Sequence, residues 1–301
     1  MSLQDAVIQV EHLTRKFGQK HALNDVSLEV MRGSVFGLVG ENGAGKTTLI
    51  KHIIGAFRAQ SGTVRVFGMD PVEKTTDVLA KIGFLSEDRT MPSWMGVKEL
   101  MDYTSAFYPA WDGRFAEEMR DQFELDRKAK VKNLSRGEKA KLGLLLALAH
   151  RPDLLVLDEP SSGLDLVVRR QILTAIVRTV AEEGRTVIFS SHLLDEVERM
   201  ADDIAMVVHG KLVLRATMEE IKSTYHRLRV SFEEVLTTAP RIPGVLWCEG
   251  EGDEWTLVCN GQSPQVKASI LELKGSIVEE GTPSLDEIFL AHCTAKTSRE
   301  G

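Results

Sequence analysis

Gly40-Glu41-Asn42-Gly43-Ala44-Gly45-Lys46-Thr47-Thr48 meets the pattern G-x-x-x-x-G-K-[ST] at each fixed position between Gly40 and Thr47. Before it, Ser34 to Val39 is a short apolar run that reads as a buried strand. After it, Thr48 to Phe57 carries Leu49, Ile50, Ile53 and Ile54 at helical spacing. A glycine loop between strand and helix is the setting a phosphate site needs. Glycines at 40, 43 and 45 let main-chain N–H groups approach phosphate oxygens with no side chain between. A helix beginning near Lys46 adds unpaired N–H groups and the positive end of its dipole. Lys46 then reaches the β- and γ-phosphates, and the Thr47 hydroxyl is a ligand for Mg²⁺. The whole run from Gly40 to Thr48, including Glu41, Asn42, Ala44 and Thr48, is read as nucleotide-binding.

Composition narrows the classes. The 301 residues allow one large domain and one smaller one, and the mixed charge is that of a globular chain. A net charge of −7 provides no general basic field, so nucleic acid is not an expected partner. Cys248, Cys259 and Cys293 are few and scattered, which fits a reducing compartment better than a disulfide framework or zinc site. The opening residues have neither a basic nor an apolar signal region, and the longest apolar run, Leu142 to Ala149, is too short to span a bilayer. A cytoplasmic chain that meets a membrane through a partner is expected.

In chain order, residues 7–13 and 22–30 alternate as half-buried strands, with Lys16-Phe17-Gly18 in a loop between them. Phe17 there could stack on a nucleotide base, a contact worth about 1–3 kcal/mol, or pack on the sheet edge. Residues 61–68 form a turn and strand, and 83–88 a strand ending in the acidic Glu87-Asp88. Residues 93–133, rich in Trp, Tyr, Phe and Met, read as a helical insertion with apolar surface to spare. Ser135 and Glu138 make a capping-box pattern at the start of a helix to Ala149, and capping alone explains both. Leu154 to Leu157 is a buried strand tipped by Asp158 and Glu159. Two adjacent carboxylates there need a cation; with the glycine loop upstream, Asp158 is the Mg²⁺ ligand and Glu159 the group to polarise a water. A loop at 161–165 precedes a helix over 167–182. The strand 185–190 then places His192 at the sheet end where α/β ligands bind.

Together these segments resemble the ATP-binding-cassette (ABC) ATPases over residues 5 to about 222. Gly40 to Thr47 is similar to Walker A and Leu154 to Glu159 to Walker B. Leu134 to Glu138 is similar to the signature motif, Ser161 to Asp165 to the D-loop and His192 to the switch histidine. Phe17 falls at the family's base-stacking aromatic and Glu87 at its Q-loop position. The resemblance implies an α/β P-loop NTPase, with a RecA-like core, an antiparallel β subdomain and a helical insertion over about 88–150. It implies an ATP hydrolase in which two nucleotide domains, identical or related, close on ATP. The signature residues Ser135, Arg136, Gly137 and Glu138 then face the partner's nucleotide, with Ser135 and Gly137 holding its γ-phosphate. Glu159 is the general base, His192 holds the γ-phosphate and orients the water, and Asp165 carries information between the sites. Thr47, Asp158 and Glu87 are the Mg²⁺ ligands. Two departures stand out: Glu87 replaces the usual Gln, and Arg136 and Glu138 replace Gly and Gln. Slower or differently coupled hydrolysis is expected, with Arg136 facing either a phosphate or solvent.

Residues 223–301 read as a small α+β appendage, with strands at 227–232, 245–248, 255–259 and 276–279 and helices at 264–274 and 284–290. Dimer contact, regulation or plain stabilisation are its open roles. The resemblance implies the ATP-hydrolysing subunit of a membrane transporter with separate permease subunits, and residues 83–111, with Ser86-Glu87-Asp88-Arg89 and Phe107-Tyr108-Pro109, resemble bacterial exporter-type ATPases of the acetoin or antibiotic-response kind. The alternative is a soluble ABC-type ATPase with a mechanical or regulatory role. Those carry two cassettes or a long coiled coil, and neither pattern is here.

Overall fold

The computed structural model describes residues 6–261 and 263–297, the side chains of 180–183 and 294–297 excepted. Two compact units divide at Arg215–Ala216. That division falls before residue 222, because the helix Met218–Thr224, capped by Thr217 and Glu220, goes with the C-terminal unit and not with the cassette.

In the first unit, β1 (Ala6–Phe17), β2 (Lys20–Met31) and β4 (Ser61–Val66) form an antiparallel sheet in the order β2-β1-β4. The hairpin is longer than the alternation suggests. Phe17 is therefore the last residue of β1, paired with Lys20, and not a loop residue. A six-stranded sheet runs β5 (Ile82–Leu85), β6 (Leu154–Asp158), β7 (Thr186–Ser191), β3 (Val35–Val39), β8 (Asp203–Val208) and β9 (Lys211–Thr217). The pairs from β5 through β8 are parallel, as buried apolar runs joined by helices require. Sequence reading passes over β8, although it pairs directly with β3.

The core lies between the two sheets and α1 (Lys46–Ile53), whose Leu49, Ile50 and Ile53 meet Ile8, Leu28, Phe36 and Val156. The helix stops at Ile53, short of Phe57, because Gly55 turns left-handed at φ 75°. Ile188 is fully buried and paired with both Phe36 and Val156. Ile188→Ala is expected to cost about 2–5 kcal/mol, read as a lower urea midpoint for this unit; an unchanged midpoint would contradict that core.

The parallel register sets the site. Val39 is level with Ser191, Asp158 with Ser190, and Leu85 with Leu157. Four strand ends thus deliver their loops to one edge. Around them stand α2 (Thr75–Leu79), α3 (Val97–Ser105), α4 (Gly113–Gln122), α5 (Arg136–Leu148), α6 (Leu166–Glu183) and α7 (Leu194–Met200).

The second unit pairs β10 (Tyr225–Leu236) with β11 (Val245–Asn260) and β12 (Gly275–Gly281), all antiparallel, around Leu228, Val230, Trp255, Leu257 and Ile270. The two strands expected at 245–248 and 255–259 are one element, which passes Gly252 at φ 70°. The helix Ser263–Glu272 contributes Val266 and Ile270 to that core.

Candidate functional site

Gly40 follows β3 and Gly45 precedes α1, at φ 159° and 118°. A side chain at either position would run into the backbone carbonyl of Val207 or Ala22, so only glycine fits. No side chain caps the N-terminus of α1, and its first turn carries no acidic residue. Its amides and its positive end are therefore open to an anion. The Lys46 ammonium folds back over the loop, donating to the Gly40 carbonyl at 2.6 Å and lying 3.3 Å from that of Glu41. A cavity of about 420 Å³ opens here, lined by Lys46, Thr47, Asn42, Phe17, Glu87 and Glu159 among others. It is large enough for a small-molecule ligand.

Glu159 stands on the far wall. It is 4 % exposed and sits at φ 49°, a left-handed conformation uncommon for a residue with a side chain. A carboxylate this buried needs compensation. Its Oε1 lies 3.0 Å from Lys46 Nζ, a charge contact not aligned as a hydrogen bond, and its Oε2 is 2.7 Å from His192 Nδ1. Because that oxygen accepts, Nδ1 carries the proton, and Nε2 is the ring nitrogen left for another contact. Ser190, at the end of β7, braces both acidic residues: its hydroxyl donates to Asp158 Oδ1 at 2.7 Å and accepts from the Glu159 amide at 2.9 Å. Sequence reading did not single out Ser190, since its partners lie more than thirty residues away.

The loop after Glu159 is anchored by a second buried carboxylate. Ser161 donates to Glu196 Oε2 of α7 at 2.5 Å, and Arg169 Nε lies 3.3 Å from the other oxygen. Burial pushes the Glu196 carboxyl above its ordinary 4.5, against the pull of Ser161 and Arg169. A raised folded-state pKa means that the folded chain holds the proton longer than the unfolded one. This contribution is fully present below 4.5 and is lost as pH climbs through the raised value. Glu196→Gln is expected to flatten the fall of melting temperature with pH above 4.5, and an identical slope in both proteins would refute the assignment.

Asp165 accepts from the amides of Val167 and Val168 and so caps α6. Ser135 caps α5 in a reciprocal box: its Oγ accepts from the Glu138 amide at 3.2 Å, and its own amide donates to Glu138 Oε2 at 2.8 Å. Gly137 lies close against Val168. Arg136 is exposed. Its guanidinium rests on Gly163, where any side chain would collide with it. None of residues 135–138 lines the Lys46 cavity, and neither does Asp165.

Phe17 lines the cavity at 47 % exposure, but it is already engaged, edge-on to Phe57 at 5.9 Å and beneath Arg15 at 4.8 Å. Among the described residues no cluster of three His, Cys, Asp or Glu could hold a metal alone. The Thr47 hydroxyl, the Glu87 carboxylate and the second Asp158 oxygen, which has no hydrogen-bond partner, are hard oxygen donors at or beside the cavity. Such a set suits Mg²⁺, which takes one or two protein ligands and completes its shell with phosphate and water.

A sequence model of the ABC transporter family matches residues 23–162. The chain is 30 % identical over 285 residues to the ABC transporter ATP-binding protein YtrB of Bacillus subtilis, covering 95 % of this chain and 97 % of that one. It is 33 % identical to the bacitracin transport ATP-binding protein BcrA of Enterococcus faecalis, covering 73 % and 72 %. The solved ATP-binding subunit of an ABC transporter superposes with a TM-score of 0.67 at 25 % identity, over 72 % of this chain and 92 % of that one. The dimeric cassette MJ0796 shares the fold at a TM-score of 0.63 and 23 % identity, over 70 % and 98 %.

Proposed function

Since the chain belongs to the ABC transporter ATP-binding proteins, we propose a mechanism in which Lys46 exchanges Glu159 for the phosphates of ATP. The chain is an ATP hydrolase that powers a membrane transporter. The observation carrying the mechanism is the buried Glu159 carboxylate held between Lys46 and His192. The triphosphate settles on the loop amides and the α1 N-terminus. Lys46 turns toward the β- and γ-phosphates, and Glu159 Oε1 is released to accept a proton from the attacking water. His192, its Nδ1 proton on Glu159, presents Nε2 toward the γ-phosphate and the water. Thr47, Asp158 and Glu87 would hold Mg²⁺, which neutralises phosphate charge when bound.

The remaining residues suit a second copy or a related cassette. Ser135 to Glu138 lie away from the cavity of their own chain, at a capped helix start. Across an interface they would meet the partner's γ-phosphate, with Asp165 beside them. Trp94 and Phe107, 71 % and 62 % exposed in the helical insertion, offer apolar surface for a permease. No helix among the described residues is long and apolar enough to cross a membrane. A cytoplasmic chain held at the inner face of the membrane by its permease follows from this reading. Export is its direction in this reading, as the resemblance of residues 83–111 to exporter-type ATPases implies. Residues 216–301 form an accessory domain.

The test is ATP turnover by the purified chain, with co-purification of a multi-span protein from membranes. Turnover without any membrane partner would overturn the transport reading while leaving the hydrolase intact.

A further inference from the structure

We infer that Arg89 is the positioning residue that holds Glu159 in its reactive orientation, by clamping the carbonyls of the loop that follows it. Arg89 is only 6 % exposed. Its Nη2 faces three carbonyls in turn: Pro160 at 2.9 Å, Ser162 at 3.2 Å and Glu159 itself at 3.4 Å. A chain that converges three carbonyl dipoles on one point needs a cation there, and the guanidinium supplies it. Glu159 itself sits in the left-handed region at φ 49°. Such a backbone persists only where its surroundings over-determine it. On the Glu159 amide, Ser190 does this; on its carbonyl and the next two turns, Arg89 does.

The same side chain ties two loops of the nucleotide site together. Arg89 lies two residues beyond Glu87, which lines the Lys46 cavity. Arg89 is itself left-handed, at φ 48°. Burial lowers its pKa first, Arg136 next, while Glu87 works in the opposite direction, so the three charges stand near one another. Any displacement of the Glu87 loop when phosphate enters would reach the base through this guanidinium.

The inference rests on Glu159 as general base, and a double-mutant cycle separates the two ideas. Arg89→Met is expected to lower single-turnover ATP hydrolysis by about 10²-fold, the scale of a base misplaced by an ångström. The Kd for Mg·ATP should stay within about threefold. Arg89→Lys, one charge with shorter reach, should fall between the two. On a Glu159→Gln background, Arg89→Met should cost less than about twofold more, because a residue acting through Glu159 has nothing left to position. A full second loss on that background, or wild-type turnover in Arg89→Met beside a dead Glu159→Gln, would overturn the inference and leave the base assignment standing. Wild-type turnover in Glu159→Gln would remove both. Should Arg89→Met fail to fold, Arg89→Lys decides: reduced turnover at unchanged affinity supports the clamp, and wild-type turnover refutes it.

Discussion

Lys46→Ala is expected to reduce ATP turnover by about 10²–10³-fold, the cost of deleting one preorganised charge from a reacting centre, and to weaken Mg·ATP binding with it. The same substitution should also lower the stability of the nucleotide-free chain. Lys46 and Glu159 are 5 % and 4 % exposed and 3.0 Å apart. Removing one partner of a buried pair leaves the other charge uncompensated, at about 3–5 kcal/mol. Adding Glu159→Gln to Lys46→Ala should recover most of the melting temperature, because the orphaned charge is gone. Turnover should not recover. Melting curves of the single and double variants measure the pair, and ATP hydrolysis measures the site. Unaltered turnover in Lys46→Ala would leave the proposed mechanism without its first step.

Glu159→Gln separates binding from chemistry. The amide oxygen can still accept from His192 Nδ1, while the group facing Lys46 loses its charge. Loss of a general base is worth about 10²–10⁴-fold in rate, with little change in affinity for Mg·ATP. Trapped triphosphate should then persist. If two chains close on ATP, the variant should show an ATP-dependent doubling of mass that outlasts that of the wild type, read by size-exclusion chromatography with light scattering. Wild-type hydrolysis in this variant would remove Glu159 from the base role; a monomer at every ATP concentration would remove the two-chain closure.

Much of the site was legible because its chemistry is local. Gly40, Gly43, Gly45, Lys46 and Thr47 specify a turn, an amide cradle and a charge within a few residues. The Leu154 to Asp158 strand announces itself by an apolar run tipped with acids. Capping by Ser135 and Glu138 was also readable, since a helix start is settled within four residues. What the sequence missed is of one physical kind. The contact of the Arg136 guanidinium with Gly163 was not readable because Gly163 is distant in sequence. Phe17 was assigned to a loop because its pairing with Lys20 depends on the full β1–β2 register. The strand 203–208 went unrecognised although it completes the sheet beside β3.

The amino-acid order by itself determined that a glycine-rich loop, an acidic strand end and a capped helix exist, because each is closed by contacts within one turn or one strand. Only the tertiary structure decided that Glu159 lies between Lys46 and His192, that Ser190 braces Asp158, and that Arg89 gathers the carbonyls after the base. Those contacts join residues on different strands and loops. They form once parallel pairing brings Asp158 level with Ser190 and Val39 level with Ser191. Register in a sheet is a property of the packed whole, set by which faces are buried, and no short window of sequence contains it.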